Sequence, residues 1–322
     1  MGRKHRKSGI KSIAMGCLLI VVGFMAAGYA ILSQKLFVNS EVNILTAEKY
    51  LWYNIINNYP GTSTEGFVTN EYENGKYSYV GNGDNNYITL NDELWKIVSI
   101  ESDHTIKVVR WDSSINKEFD TANNRTNSST YCKSLEYGCN SWNSKSVFEN
   151  GTINGNIEND STLLTYLNTT YYNGLSDTFK NQIAEHAFNI GAVEQGVSIQ
   201  QTLSQESEYT WYGHVGLLSL SDIIYPGSSS TTTTNTTLTN SNYLLNYSSD
   251  KFMWTINPVR GNSNEVWVIS YDKKSIGKNA NSQSEDISNT NYKYVALPTI
   301  YLKNTVQYNS GNGTINQPFT IK

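Results

Sequence analysis

The sequence is short of charge. Asp, Glu, Lys and Arg make up 16% of its 322 residues, and the net charge at neutral pH is −4. A chain of this kind builds no basic field, so a nucleic-acid partner is not expected. Cysteine (3), histidine (4) and proline (5) are scarce as well. So few cysteines exclude a disulfide-dense small scaffold, and no proline-rich linker divides residues 76–322. What the chain has in their place is neutral polarity from Asn, Ser and Thr, with 23 Tyr, 9 Phe and 7 Trp in a 38% hydrophobic composition. That aromatic content is enough for a folded core, unlike the composition of a disordered chain. Part of the Asn excess reflects an AT-rich genome and carries no function.

Charge is concentrated at one place. Arg3, Lys4, Arg6, Lys7 and Lys11 precede an uncharged run over residues 12–34. As a helix that run is about 33 Å long, matching the roughly 30 Å hydrocarbon core of a bilayer. The basic cluster puts residues 1–11 in the cytoplasm and everything after Lys35 outside, so the lipid bilayer is an expected partner and the cell membrane the expected location. The apolar region is longer than a signal peptide requires, which favours a retained anchor over a cleaved signal. Gly28-Tyr29-Ala30 nevertheless has the small-x-small form of a cleavage site. Cys17 stands at the start of the apolar run rather than its end and reads as a lipid-facing thiol, not a lipid attachment site.

An outside location gives meaning to Cys132 and Cys139, which lie in a polar stretch. Two cysteines with no neighbouring Cys or His pair lack the ligands zinc needs, so a disulfide is expected and a metal is not. Closing so short a loop stabilises by about 2.5 kcal/mol in the chain-entropy model.

Along the chain, Thr46 caps an apolar-periodic segment with Tyr50, Leu51, Trp52, Ile55 and Ile56 that ends at Pro60-Gly61, a helix within an expected helical or irregular stalk over 35–75. From residue 76 the period becomes two. Strands are expected at 77–80 and 87–90, joined by a turn at 81–85, and a hairpin at 94–100 and 106–111 turns at Ser102-Asp103-His104. Residues 112–158 read as a long loop. Two helices follow, one opening at Ser161 with Leu163, Leu164, Leu167 and Tyr171 on one stripe, the other at Ser176 with Phe179, Ile183 and Ala187. Further strands are expected at 215–220, 265–271 and 295–303, with a low-complexity Ser/Thr loop at 228–237. The fold class is α+β, one domain over 76–322.

Several pieces occur in an order that resembles a family. They are Asn86-Tyr87-Ile88-Thr89-Leu90 leading into Leu94-Trp95-Lys96-Ile97-Val98, the helix with Leu163, Leu164, Tyr166, Leu167, Asn168, Tyr171 and Tyr172, and Val215-Gly216-Leu217-Leu218-Ser219 before Ser221-Asp222. Trp254-Thr255-Ile256-Asn257-Pro258 follows, then Pro298 to Lys303 and the tail with Gly311-Asn312-Gly313-Thr314 and Gln317 to Ile321. Together these are similar to an uncharacterised domain of surface proteins from Gram-positive gut bacteria. The resemblance implies a C-type-lectin-like fold, the one shared by formylglycine-generating enzymes, with long loops on one side. The family usually carries Arg-Pro where this chain has Leu297-Pro298, so a role for that arginine does not carry over. Separately, residues 29–37 are similar to the segment after the membrane helix in many Gram-positive surface and biofilm-fibre precursors.

No catalytic constellation is legible. Glu185-His186 are adjacent rather than spaced as metal ligands, and Gly-x-Ser-x-Gly is missing. Cys132 and Cys139 do not match the copper-binding pair of formylglycine-generating enzymes, and Asn257-Pro258 and Trp142-Asn143-Ser144 fall short of the calcium motifs of lectins. Residues 81–85 lack the bidentate Glu of an EF-hand loop and read as a turn. No cofactor and no metal are expected. Exposed Tyr and Trp among Asn and Ser offer a surface suited to a glycan or protein ligand, and the candidates are Tyr209, Trp211 and Tyr212, with Tyr131 and Trp142 flanking the cysteines. The expectation is a membrane-anchored recognition module rather than an enzyme. Two alternatives stay open: a cell-surface fibre component released by cleavage near Ala30, and a glycan- or peptide-active enzyme using distant residues such as Asp222 or His214.

Overall fold

The computed structural model describes residues 47–62, 64–112, 115–121, 139–143, 160–227, 242–245, 252–261, 265–270, 275–277 and 293–322. The chain divides into two units, Met1–Lys49 and Tyr50–Lys322, and every element below belongs to the second. The expected membrane segment 12–34, with Cys17, Gly28 and Ala30, lies outside the described residues, as do Tyr131 and Cys132. No helix among the described residues is long and apolar enough to cross a membrane.

The first element, α1 (Leu51–Asn58), is the helix expected ahead of Pro60-Gly61. Eight residues are too few for a stable isolated helix. It persists because Leu51 and Ile55 are wholly buried in the core and Leu51 N donates to Val306 O at 3.0 Å. Residues 50–75, expected as part of a stalk, instead belong to the compact unit that begins at Tyr50. Within the same stretch, β1 (Gly66–Thr69) pairs antiparallel with β2 (Tyr77–Val80).

The main sheet follows the expected period-two pattern. After β3 (Tyr87–Leu90) come β4 (Glu93–Ile100) and β5 (Ile106–Arg110), the expected hairpin. β2 and β3 do not pair with each other; each pairs with one half of β4, so residues 81–85 link two strands on the same edge. β6 (Asn116–Glu118) is a short strand inside the expected loop.

The middle of the chain departs further from expectation. α2 (Thr162–Tyr166), capped by Ser161, continues as a π-helical stretch Leu167–Tyr171 into α3 (Tyr172–Gly174), and Leu163, Leu164 and Leu167 are buried as the stripe required. The second expected helix stops after one turn, α4 (Asp177–Lys180). Ile183 and Ala187 then fall on strands, β7 (Ile183–Ala184) and β8 (His186–Asn189). Their four-residue spacing fits a helix stripe, but pairing with the sheet wins. After α5 (Ile199–Glu206), β9 (Thr210–Gly213) pairs with β8. The strand expected at 215–220 is also corrected. Only Gly216 bridges to Thr299, and the chain turns into α6 (Leu220–Ile224), started by a capping box between Ser219 and Asp222. A capping box satisfies two helix-start N–H groups, a local reward that outweighs the apolar run's strand preference.

A second sheet is built from β10 (Phe252–Pro258), β11 (Val266–Ser270), β12 (Ser275–Gly277) and β13 (Lys293–Val295), in the order β12-β11-β10-β13-β6. The expected strand 295–303 is therefore split. Its first part belongs to this sheet, and β14 (Thr299–Leu302) crosses to the main one, ordered β1-β2-β4-β5-β14-β7 with β3 beside β4. The C-terminal pair β15 (Tyr308–Ser310) and β16 (Thr320–Ile321) closes the domain. Its Gly311-Asn312-Gly313 turn has φ of +98° and +81° at the two glycines, and Tyr87 N donates to Gly313 O at 2.7 Å, so backbone geometry sets the residue type there. The described body is α+β, mostly sheet with short helices, around one continuous apolar cluster that draws on both sheets.

Trp254 on β10 ties this cluster together. It is buried, donates Nε1 to Lys117 O at 2.9 Å and meets Phe119 edge to face at 5.7 Å. Trp254→Ala is expected to cost about 3–5 kcal/mol, read as a lower denaturation midpoint.

Candidate functional site

The main sheet carries a polar row across its strands. Register places Ser78 of β2 opposite Ser99 of β4, Ser99 opposite Lys107 of β5, and Lys107 opposite Tyr301 of β14. Alternation along β5 puts Lys107 on the face opposite Ile106 and Val108, where a surface strand would be solvated. Here that face is covered, and Lys107 is buried.

What covers it is α6. Asp222 sits at the third position of that helix, where its Oδ2 accepts from Ser219 N at 2.9 Å to complete the capping box, and the same oxygen accepts from Lys107 Nζ in a close contact. Burial pushes Lys107 down, but Asp222 beside it, with Glu101 farther off, more than offsets this and holds the ammonium above its ordinary value. Burial likewise raises Asp222, and Lys107 and then Lys76 reverse that, leaving the carboxyl below its usual range.

A second carboxyl lies alongside. Glu206, at the end of α5, is 1% exposed and accepts from Ser221 N at 2.8 Å and from Ser221 Oγ at 2.6 Å. Ser221 Oγ in turn lies 2.9 Å from Ser219 Oγ. Burial is the largest influence on Glu206 and pushes it up to about 8 against the two Ser221 contacts. Beyond Ser99, Glu101 accepts from the Ser99 hydroxyl at 2.6 Å and, with Glu73, flanks Lys76 at 3.5 and 2.9 Å. Two cavities adjoin the network. One of about 40 Å³ is lined by Lys107, Glu206, Ser219, Ser221 and Tyr301 among others, and one of about 20 Å³ by Asn70, Ser78 and Asp222. The larger has room for ordered water and not for a sugar or peptide.

At the other end of the row, Tyr301 is stacked on His186 (ring centres 3.7 Å apart), whose Nε2 lies 3.2 Å from Thr105 Oγ1 and 3.6 Å from Asp103 Oδ2. Each described histidine has the same kind of partner: His104 stacks on Trp52 at 3.9 Å and His214 on Tyr172 at 4.5 Å. Of the two residues named for an enzymatic reading, Asp222 is thus engaged by Lys107 and Ser219, and His214 by an aromatic face. Glu185-His186 lie where β7 passes into β8 rather than on a helix. Among the described residues no group of three or more His, Cys, Asp or Glu is arranged to hold a metal ion.

The aromatic candidates separate. Trp142 is wholly buried between Phe119 and Trp211, which corrects its assignment to a binding surface. Its place follows from the chain returning into the core at 139–142, where Cys139, Asn140 and Ser141 are buried as well. Trp211 on β9 is half-buried against Trp142 and Phe188, and Tyr209 packs on the same cluster. Tyr212, on the opposite face of β9, is 67% exposed. Gly213 follows it because the Trp211 ring occupies the space a Cβ would take. β8, whose Ala187, Phe188 and Asn189 line the larger cavity, pairs with β9, so the strand carrying Tyr212 adjoins the strand that lines the ionic network.

Comparison with protein-family models, with curated proteins and with solved structures yields no match. Lys107 and Glu206 were missed in the sequence because an isolated Lys in a strand and a Glu on a helix read as solvated positions. The Ser219-x-x-Asp222 spacing is a helix-capping signal that could have placed Asp222, though not Lys107 or Glu206.

Glu206 makes stability depend on pH. Its folded-state value of about 8 is above the ordinary 4.5, so the folded protein holds a proton that the unfolded chain releases. Stability is expected to fall as pH rises from about 4.5 to about 8, by roughly 5 kcal/mol at most. Glu206→Gln keeps the hydrogen-bonding pattern of the protonated acid and should flatten that slope, checked by denaturant titrations at pH 5 and pH 9.

Proposed function

We propose that the protein is a membrane-anchored extracellular recognition module that binds a glycan or protein ligand through an uncharged aromatic surface, without catalysing a reaction. The observation that carries this reading is Tyr212. It stands largely in solvent on a strand braced from behind by Trp211 and Trp142. A rigid aromatic on a braced strand presents a flat apolar face and a phenolic oxygen at low entropic cost. Asp222, the acid named for the enzymatic reading, is turned inward, as is its neighbour Glu206. Asp222 and Glu206 are buried, next to a cavity too small for an external substrate.

The reading includes residues 12–34 as anchor, a Cys132–Cys139 disulfide, and a C-type-lectin-like fold for the α+β body. In support of the last, the pieces that carry the resemblance occupy core positions of one body. Trp95 and Trp254 are buried on β4 and β10, Leu163 and Leu167 on the helical run, and Phe319 of the tail is buried beside β3.

Glycan arrays and adhesion assays against host, matrix and bacterial surfaces test the proposal with the full chain in detergent or liposomes. Binding is expected, and Tyr212→Ala should weaken it by about tenfold or more, the loss typical of a central aromatic contact, with the denaturation midpoint unchanged. Absence of binding to any surface component overturns the recognition reading.

A further inference from the structure

Two reactive groups of opposite kind meet inside this domain with a third buried acid beside them. Lys107 Nζ touches Asp222 Oδ2, and the two side chains are 6% and 5% exposed. The carboxyl is held in one orientation by the helix that bears it, through Ser219 N–H. The amine is held by the sheet, between Ser99 and Tyr301 in register and with the Tyr301 ring centre 5.5 Å away. Reactants fixed in contact and shielded from bulk water gain very large effective concentrations, enough to make an otherwise sluggish condensation feasible. We infer that Lys107 and Asp222 are the partners of an intramolecular amide bond that the folded domain forms by itself.

The balance is that of a condensation. The ammonium first passes a proton to the carboxylate, giving a neutral amine and a neutral acid. Desolvation of both groups favours the neutral pair while their mutual attraction holds the charges, so this transfer is the uphill step that contact and confinement must offset. The Nζ lone pair then attacks Asp222 Cγ. Oδ2, on the Ser219 N–H, carries the charge that develops, as an oxyanion donor requires. The Nζ–Cγ bond forms, the bond from Cγ to Oδ1 breaks, and Oδ1 leaves as water with two protons that began on nitrogen. No oxidant, reductant or other reactant is consumed.

Glu206 has the position of a proton carrier. It lines the same cavity as Lys107, Ser219 and Ser221. Its Oε2, Ser221 Oγ and Ser219 Oγ form a hydrogen-bonded line at 2.6 and 2.9 Å that ends at the residue capping Asp222. A protonated carboxyl there can relay a proton through the two hydroxyls toward Asp222 and be reprotonated at the expense of nitrogen, finishing unchanged, so that overall nitrogen still loses the two protons the water carries away. Room for the released water lies on both sides of the pair, in the cavity of about 40 Å³ that Lys107 lines and in the one of about 20 Å³ that Asp222 lines. The bond would join the central strand β5 to α6 across 115 residues of sequence.

Mass spectrometry of the unfolded, thiol-reduced full chain tests this directly, after its N-terminus has been established. The expected chain is one water lighter than its sequence, and digestion yields a branched peptide joining Lys107 to Asp222. Lys107→Arg and Asp222→Ala should each restore the full mass. Glu206→Gln should leave a large uncondensed fraction that declines slowly on incubation. A wild-type chain of full mass overturns the inference, and so does a water loss that maps to any other pair of residues. The wild-type measurement is independent of whether any variant folds.

Discussion

The arrangement of this domain hangs on one buried contact, Lys107 with Asp222. A lysine in the middle of a central strand has no place to go once helices cover that face. Leaving it unpaired would cost several kcal/mol. Asp222 meets the requirement, and only because the chain at 219–222 starts a helix whose capping box already fixes that carboxyl. Ser219, α6, the polar row from Ser78 to Tyr301 and the placement of Glu206 follow from accommodating a single ammonium group.

Such a pair adds little stability over an apolar pair of the same shape, because desolvation cancels most of the attraction. Its physical effect is better described as alignment. Lys107 points to one place on the sheet, Asp222 to one place on α6, and their contact admits one register between the two. The surrounding charges keep to the same pattern of internal satisfaction. Lys76 lies between Glu73 and Glu101, and Lys96 is buried against the rings of Tyr87 and Trp111, where burial lowers it to about 8. A chain with few charged residues has turned several of them inward, while Tyr212 is one of the large apolar side chains that stand exposed among the described residues.

Parts of this were legible beforehand. The hairpin of β4 and β5 was evident from alternation and β-branched residues, and the Leu163, Leu164, Leu167 stripe from helical spacing. Other parts misled. Ile183 and Ala187 have spacing that fits a helix as well as a strand, and residues 215–220 are apolar enough to suggest a strand although the Ser219 cap starts a helix. Trp142 looked like a surface residue because its neighbours are polar, yet three of those neighbours are buried with it. Local composition does not report which side of a loop faces the core.

By itself the sequence determined an α+β body with sheet at both ends of the domain and helices between, because hydrophobic periodicity and capping residues act over a few positions. The absence of a basic field belongs with it, since net charge needs no coordinates. Only the tertiary structure decided that Lys107, Asp222 and Glu206 share one site, that Trp142 is interior while Tyr212 is not, and that residues 293–302 serve two sheets. Those outcomes depend on contacts between positions up to 115 residues apart. No local pattern encodes which face of a strand will be covered.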